Sequence, residues 1–136
     1  MTGRAFLDTN VLVYAVDDAD PEKKKTARSL LAQSDNVVIS AQVLNEFYVT
    51  VTRKLKPAVD AETAGHMVRK LARLQCVPVD AQLVQFALRA GQRWQLSHWD
   101  SLVVEAARQS GCTRVLTEDL ADGAAYDGLV IENPFR

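Results

Sequence analysis

The chain has 136 residues, 48% of them hydrophobic, and a net charge of −1 from 16 Lys+Arg against 17 Asp+Glu. That length suits a single domain, 1–136, with a sizeable core, and the balanced charge excludes a protein that grips nucleic acid by bulk basicity, so a polyanion would have to be met by local clusters of Lys and Arg. No apolar run approaches the ~20 residues of a membrane span, and Asp8 interrupts the only apolar stretch near the N-terminus, so neither a span nor a signal peptide is expected and the setting is read as cytoplasmic.

Residues 5–7 read as a short buried strand that stops at Asp8. Thr9 and Asn10 follow, and a short helix is expected over 11–16. Strand, acid and helix start together describe the ligand-binding edge of an α/β protein. The competing reading is that Asp8 or Thr9 only caps the helix. Asp20, Pro21 and Glu22 open a second helix to about Gln33, with Lys23, Lys24, Lys25 and Arg28 as a basic face. Ser34-Asp35-Asn36 is a turn, and 37–39 a second buried strand. Ser40 caps a helix whose Leu44, Phe47, Tyr48 and Val51 form an apolar stripe, with Glu46 close by in sequence.

Arg53-Lys54-Leu55-Lys56-Pro57 is basic and ends that helix. Asp60 caps the next, 61–74, in which His66 has no ligand-spaced partner. Residues 76–79 read as a third strand, and Pro78 suggests an edge position. Asp80 caps a helix to about Trp94. Ser97, with Asp100 three residues on, gives a capping-box-like start to a helix reaching about Gln109, closed by Gly111. Residues 114–117 are a fourth strand ending in Glu118 and Asp119. A polar loop, 120–128, leads to a last short strand, 129–131. Cys76 and Cys112 form no Cys-x-x-Cys pair and lie in or beside apolar runs, as reduced thiols would. Strands alternating with helices predict an α/β fold: a central parallel sheet of four to five strands with helices on both faces.

Such a sheet gathers Asp8, Asp119, Asp100 and Glu46 toward one edge. Neighbouring carboxylates repel by roughly 1 to 4 kcal/mol per pair, so four together call for a counter-charge. Oxygen ligands suit a hard divalent cation, Mg²⁺ or Mn²⁺, and such an ion suits phosphate chemistry. A zinc site is not expected, because His66, His98, Cys76 and Cys112 lack ligand spacing.

Four segments carry a resemblance: Phe6-Leu-Asp-Thr-Asn-Val-Leu12, Leu44-Asn-Glu-Phe47, Trp99-Asp-Ser-Leu-Val-Val-Glu-Ala106 and Leu116-Thr-Glu-Asp-Leu120. In this order they resemble the acidic signatures of the PIN domain family, and most closely the toxin ribonucleases of VapBC-type toxin–antitoxin modules. The resemblance runs from Phe6 to the Asn133-Pro134-Phe135 ending. It implies endonucleolytic hydrolysis of RNA at a Mg²⁺ or Mn²⁺ site, a homodimer and a cognate antitoxin. By the same resemblance Asp8, Glu46, Asp100 and Asp119 are the metal and catalytic acids, and Asn10 and Thr117 support them. Asp119 matches the Thr-x-Asp pattern, although Glu118 stands beside it and Asp122 lies just beyond. Water rather than the ribose 2′-OH as nucleophile would leave 5′-phosphate and 3′-hydroxyl ends.

Two other readings compete. A catalytically silent RNA- or protein-binding domain would keep the fold without the chemistry. An aspartyl-phosphate phosphatase would use an Asp-x-Asp at the strand end, but Asn10 stands where its general acid is needed. For the ribonuclease, Lys23, Lys24, Lys25, Arg28, Arg53, Lys54 and Lys56 are expected to rim the acids and hold RNA phosphates. Phe47, Tyr48, Trp94 and Trp99 are expected in part on a dimer face or antitoxin groove, with the core as the alternative.

Overall fold

The computed structural model describes residues 3–136. Apolar runs become strands and capped stripes become helices. The order is β1 (Ala5–Leu7), α1 (Thr9–Tyr14), α2 (Pro21–Leu31), β2 (Val37–Ser40), α3 (Ala41–Arg53), α4 (Ala61–Leu71), β3 (Gln75–Val77), α5 (Ala81–Trp94), α6 (His98–Gln109), β4 (Arg114–Leu116), β5 (Ala125–Tyr126) and β6 (Leu129–Glu132). Short polar side chains start the helices as expected. Asp20, Ser40, Asp60, Asp80 and Ser97 each accept from a backbone N–H three residues on, which satisfies a donor the helix itself cannot.

The strands form one sheet in the order β3-β2-β1-β4-β6-β5. All neighbours run parallel except β5 and β6. The chain steps from β1 outward to β2 and β3, then returns past β1 to β4 and β6. Right-handed crossovers therefore put α1 to α4 on one face and α5 and α6 on the other. In agreement, α1 packs on α2 and α3, α3 packs on α4, and α6 lies along α5 and covers β2, β4 and β6. The direction reverses between β1 and β4. In an open parallel sheet the ligand crevice lies at that point, beyond the carboxyl ends of the two strands.

The central strands β1 and β2 are buried throughout, as strands covered on both faces must be. Phe6, Leu7, Leu12, Ile39, Phe47, Leu116 and Ile131 are fully buried, and each contributes about 1.5–3 kcal/mol by leaving water. Phe47 is thus a core residue, not part of a docking face. Close packing of α5 on α6 requires Gly91, where a Cβ would lie 3.0 Å from Ser101 Oγ and 3.3 Å from the Leu96 carbonyl.

Four expectations change. The sheet has six strands rather than four to five, because the polar loop 120–128 contains β5. Asp127 and Gly128 both take positive φ, 52° and 88°, the two-residue turn that joins right-twisted antiparallel strands. α1 starts at Thr9, two residues early, because Asp8 is its cap. α2 ends at Leu31 and α4 at Leu71, where i→i+3 turns replace the helical ladder. β3 is an edge strand, as Pro78 suggests. Cys76 and Cys112 are free thiols, both pushed up in pKa by burial. Among the described residues no helix is long and apolar enough to cross a membrane.

Candidate active site

Asp8 leaves β1 with extended backbone and caps α1, its Oδ1 accepting from Thr9 N at 2.8 Å. Its Oδ2 accepts from Thr117 Oγ1 at 2.8 Å. Thr117 is fully buried one residue past β4. Its hydroxyl also accepts from Asn10 Nδ2 and from Asp119 N, both at 3.0 Å. One donation and two acceptances exhaust what a hydroxyl can do. Asn10 completes the clamp, because Nδ2 also reaches Asp119 Oδ2 at 3.0 Å and Oδ1 accepts from Glu118 N at 3.4 Å. The ends of β1 and β4 are thereby fastened across the switch point.

Burial is the largest effect on Asp8 and pushes its carboxyl from the ordinary 3.8 up to about 6. The hydrogen bonds from Thr9 and Thr117 pull it down, and the charges of Glu46 and Asp119 push it up again. Glu46 is raised as well, first by loss of water around its carboxyl and then by Asp100 and Asp119, with Gln42 opposing. Asp8 therefore senses Glu46 and Asp119, and Glu46 senses Asp100 and Asp119, so that Glu46 is the link between Asp8 and Asp100. Two of these four acids come from strand ends and two from the early turns of α3 and α6. Among the described residues, no three Asp, Glu, His or Cys side chains stand close enough to enclose an ion by themselves.

Gln42 is not among the residues that the sequence points to. It lies one turn before Glu46, and its Nε2 donates to Glu46 Oε1 at 3.0 Å and to the Trp99 carbonyl at 3.3 Å. Both partners are acceptors, so the orientation of the amide is fixed. Gln42 thus joins α3 to the start of α6, beside Asp100. The i, i+4 spacing to Glu46 on one helix face is the signal that could have found it. The Asp100 carboxylate, by contrast, makes no hydrogen bond among the described residues, and only Ser97 acts as the cap.

The neighbouring acids face elsewhere. Glu118 accepts from Tyr14 OH and pairs with Lys23 at 3.0 Å. Lys23 also lies 4.7 Å from the Tyr14 ring centre, and Phe135 meets that ring edge-on. Asp122 accepts from Asn133 N and pairs with Arg136 at 3.0 Å. Much of the expected basic rim is also committed. Lys23 is paired as described, Lys24 pairs with Asp18, and Arg28 Nε donates to the Ala15 carbonyl at 2.9 Å. Lys54 lines the site itself, in a pocket of about 580 Å³ shared with Thr9, Asn10, Glu46 and Asp119.

The PIN domain family matches residues 5–121 of this sequence. The chain belongs to the PIN domain family. Asp8, Asn10, Glu46, Asp100, Thr117 and Asp119 all lie within the matched stretch, and the β5–β6 hairpin lies beyond it. No curated protein sequence is significantly similar to the chain. Among solved structures, a toxin–antitoxin complex from Klebsiella pneumoniae is similar at TM-score 0.69 and 18% identity, over 96% of this chain and 97% of that one. DNA-bound VapBC from Salmonella typhimurium gives 0.70 and 16%, over 98% and 99%. Mycobacterium tuberculosis VapC20, a sarcin-ricin loop cleaving toxin, gives 0.64 and 19%, over 82% and 86%. At such identities the likeness to these proteins is one of fold.

Proposed function

We propose that this PIN domain is a metal-dependent endoribonuclease, the toxin of a toxin–antitoxin pair, acting on RNA as one domain in the cytoplasm. The observation that carries the proposal is the coupled set of acids at the switch point, with Asp8 pushed to about 6 by burial, Glu46 and Asp119. A cluster that disfavours its own charge is stabilised by a cation. The donor set is all oxygen and fits Mg²⁺ or Mn²⁺. Two further buried oxygens near it, Thr9 Oγ1 and Gln42 Oε1, have no partner within the protein. Asp8, Glu46, Asp100 and Asp119 would hold the ion together with water, since no three of them enclose it alone. When bound it would neutralise phosphate charge and make water a stronger nucleophile.

The chain's own residues fix the parts. Asn10 and Thr117 position Asp119 through its main chain and carboxylate, and Gln42 positions Glu46. Asn10 spends its amide protons on Thr117 and Asp119, which argues against the phosphatase reading, where it would have to act as an acid. Tyr14 and Lys23 hold Glu118, and Asn133 and Arg136 hold Asp122, which supports Asp119 as the fourth acid. Lys54 stands where a backbone phosphate would pass.

Similar folds occurring as toxin–antitoxin complexes support an antitoxin partner. The exposed Tyr48 on α3 offers apolar surface for a homodimer. Cleavage of RNA with Mn²⁺ or Mg²⁺ against EDTA tests the activity. Metal-dependent cutting, lost in Asp8→Asn and Asp119→Asn, is expected. Equal cutting with and without metal, or none from the parent, would overturn it and leave a silent binding domain. Sedimentation at micromolar concentration checks the dimer, which a monomeric mass would exclude.

A further inference from the structure

A second groove of about 580 Å³ adjoins the acid pocket and shares Asn45 and Glu46 with it. Its other walls are mostly apolar, with Val79, Leu102 and the indole of Trp99. Trp99 is 66% exposed, the most open large apolar side chain in the described chain. Aromatic rings of that size normally bury their faces. Trp99 is held in place all the same. His98 meets it edge-on at 5.5 Å, and its carbonyl takes the Gln42 hydrogen bond that also holds Glu46. One amide therefore ties the Trp99 main chain to Glu46.

We propose that this groove is a nucleobase subsite, in which an unpaired base of single-stranded RNA stacks on Trp99 beside the phosphate being cut. The inference rests on the ribonuclease reading of the adjoining pocket. Continuity with that pocket selects the occupant. A base joined to a phosphate at the acids has one sugar's length to span, and a flat π-face on an apolar wall is what it would meet. A stacking platform takes any base, because each has a π-face. It also demands single strands, because a paired base cannot reach it.

The test uses hexa-adenylate and hexa-uridylate with the intact Mn²⁺-loaded protein, as parent, Trp99→Phe and Trp99→Ala. Quenching of the Trp99 fluorescence, taken as parent minus Trp99→Phe, reports occupancy. KM and kcat are measured on the same oligomers. Trp99→Ala is expected to bind about five- to a hundredfold more weakly, with the loss in KM rather than kcat. Trp99→Phe should recover most of it, and all three should melt alike. Affinity within twofold of parent, an unquenched Trp99, or a fall in kcat alone would overturn the subsite. So would a Trp99 signal that follows protein concentration without RNA, which would mark a second copy in the groove. If the parent cuts no RNA yet quenching and the Trp99→Ala loss persist, the subsite stands and only the nuclease reading falls.

Discussion

The Thr117 hydroxyl donates to Asp8 Oδ2 across 2.8 Å, so the residue just past β1 and the residue just past β4 are bonded side chain to side chain at the switch point. The same oxygen holds Asn10 and the Asp119 main chain. Thr117→Val keeps the shape and deletes all three bonds in a fully buried place. Leaving buried polar partners unmet costs about 1–3 kcal/mol. Urea unfolding should show that loss, and cleavage should fall because Asp119 loses the bond that fixes its main chain. Thr117→Ser keeps the hydroxyl and should stay close to parent in both. A Val variant with parental stability and activity would remove Thr117 as the hub.

Asp8 gives the metal-free protein a pH dependence of definite sign. Its folded-state carboxyl titrates near 6 and its unfolded one near 3.8. Between those values the folded state binds the extra proton, so stability falls as pH rises. The effect is complete above about 6 and absent below about 4. Two pKa units correspond to about 3 kcal/mol at most. Asp8→Asn removes that penalty but weakens one of two hydrogen bonds, at about 1 kcal/mol. In EDTA at pH 7 the variant should be more stable than parent by ~1–2 kcal/mol, and at pH 4 it should have no advantage. Denaturant titrations at both pH values measure it, and a variant advantage at pH 4 would contradict the assignment.

Much of this site could be read from the chain because parallel strands deliver their carboxyl ends to one edge. Asp8 follows directly from strand-then-acid patterning, whereas the fourth strand delivers Glu118 and Asp119 together and only the family's Thr-x-Asp pattern picks out Asp119. The caps at Asp20, Ser40, Asp60, Asp80 and Ser97 are local and were legible for the same reason. What depends on tertiary closeness was not legible. Gln42 looks like any helix-surface amide until α6 arrives beside it. Lys23 looks like a phosphate contact until Glu118 and Tyr14 are found on it. Asp127-Gly128 was legible in principle as a hairpin turn, but two-residue strands leave almost no periodicity to read.

The RNA-facing charge should be concentrated at Lys54. It alone of the expected basic residues lines the acid pocket, while Lys24 is paired with Asp18 and does not line it. Lys54→Ala should weaken RNA binding and reduce the slope of log affinity against log salt by about one contact. Lys24→Ala should leave both unchanged. Equal effects from the two variants, measured by fluorescence anisotropy across a salt series, would show that the phosphates follow a different path.

Asp100 decides between a cap and a ligand. Ser97 Oγ already caps α6 by accepting from Asp100 N at 3.1 Å, so the Asp100 carboxylate is not needed for the helix. Its charge instead raises Glu46. In EDTA, Asp100→Asn removes one member of a repelling pair, so the variant should be as stable as parent or slightly more so, and Glu46 should titrate closer to the ordinary glutamate range. Saturating Mn²⁺ should stabilise the parent by about 2.7 kcal/mol at a hundredfold excess over its dissociation constant. The variant should gain much less, because one ligand charge is gone, and cleavage should drop by orders of magnitude. Thermal unfolding of both proteins with EDTA and with Mn²⁺, beside the cleavage assay, separates the outcomes. If the metal-induced shift and the cleavage rate are both undiminished, Asp100 serves neither ion nor reaction, and the shared site contracts to the acids at the ends of β1 and β4 with Glu46.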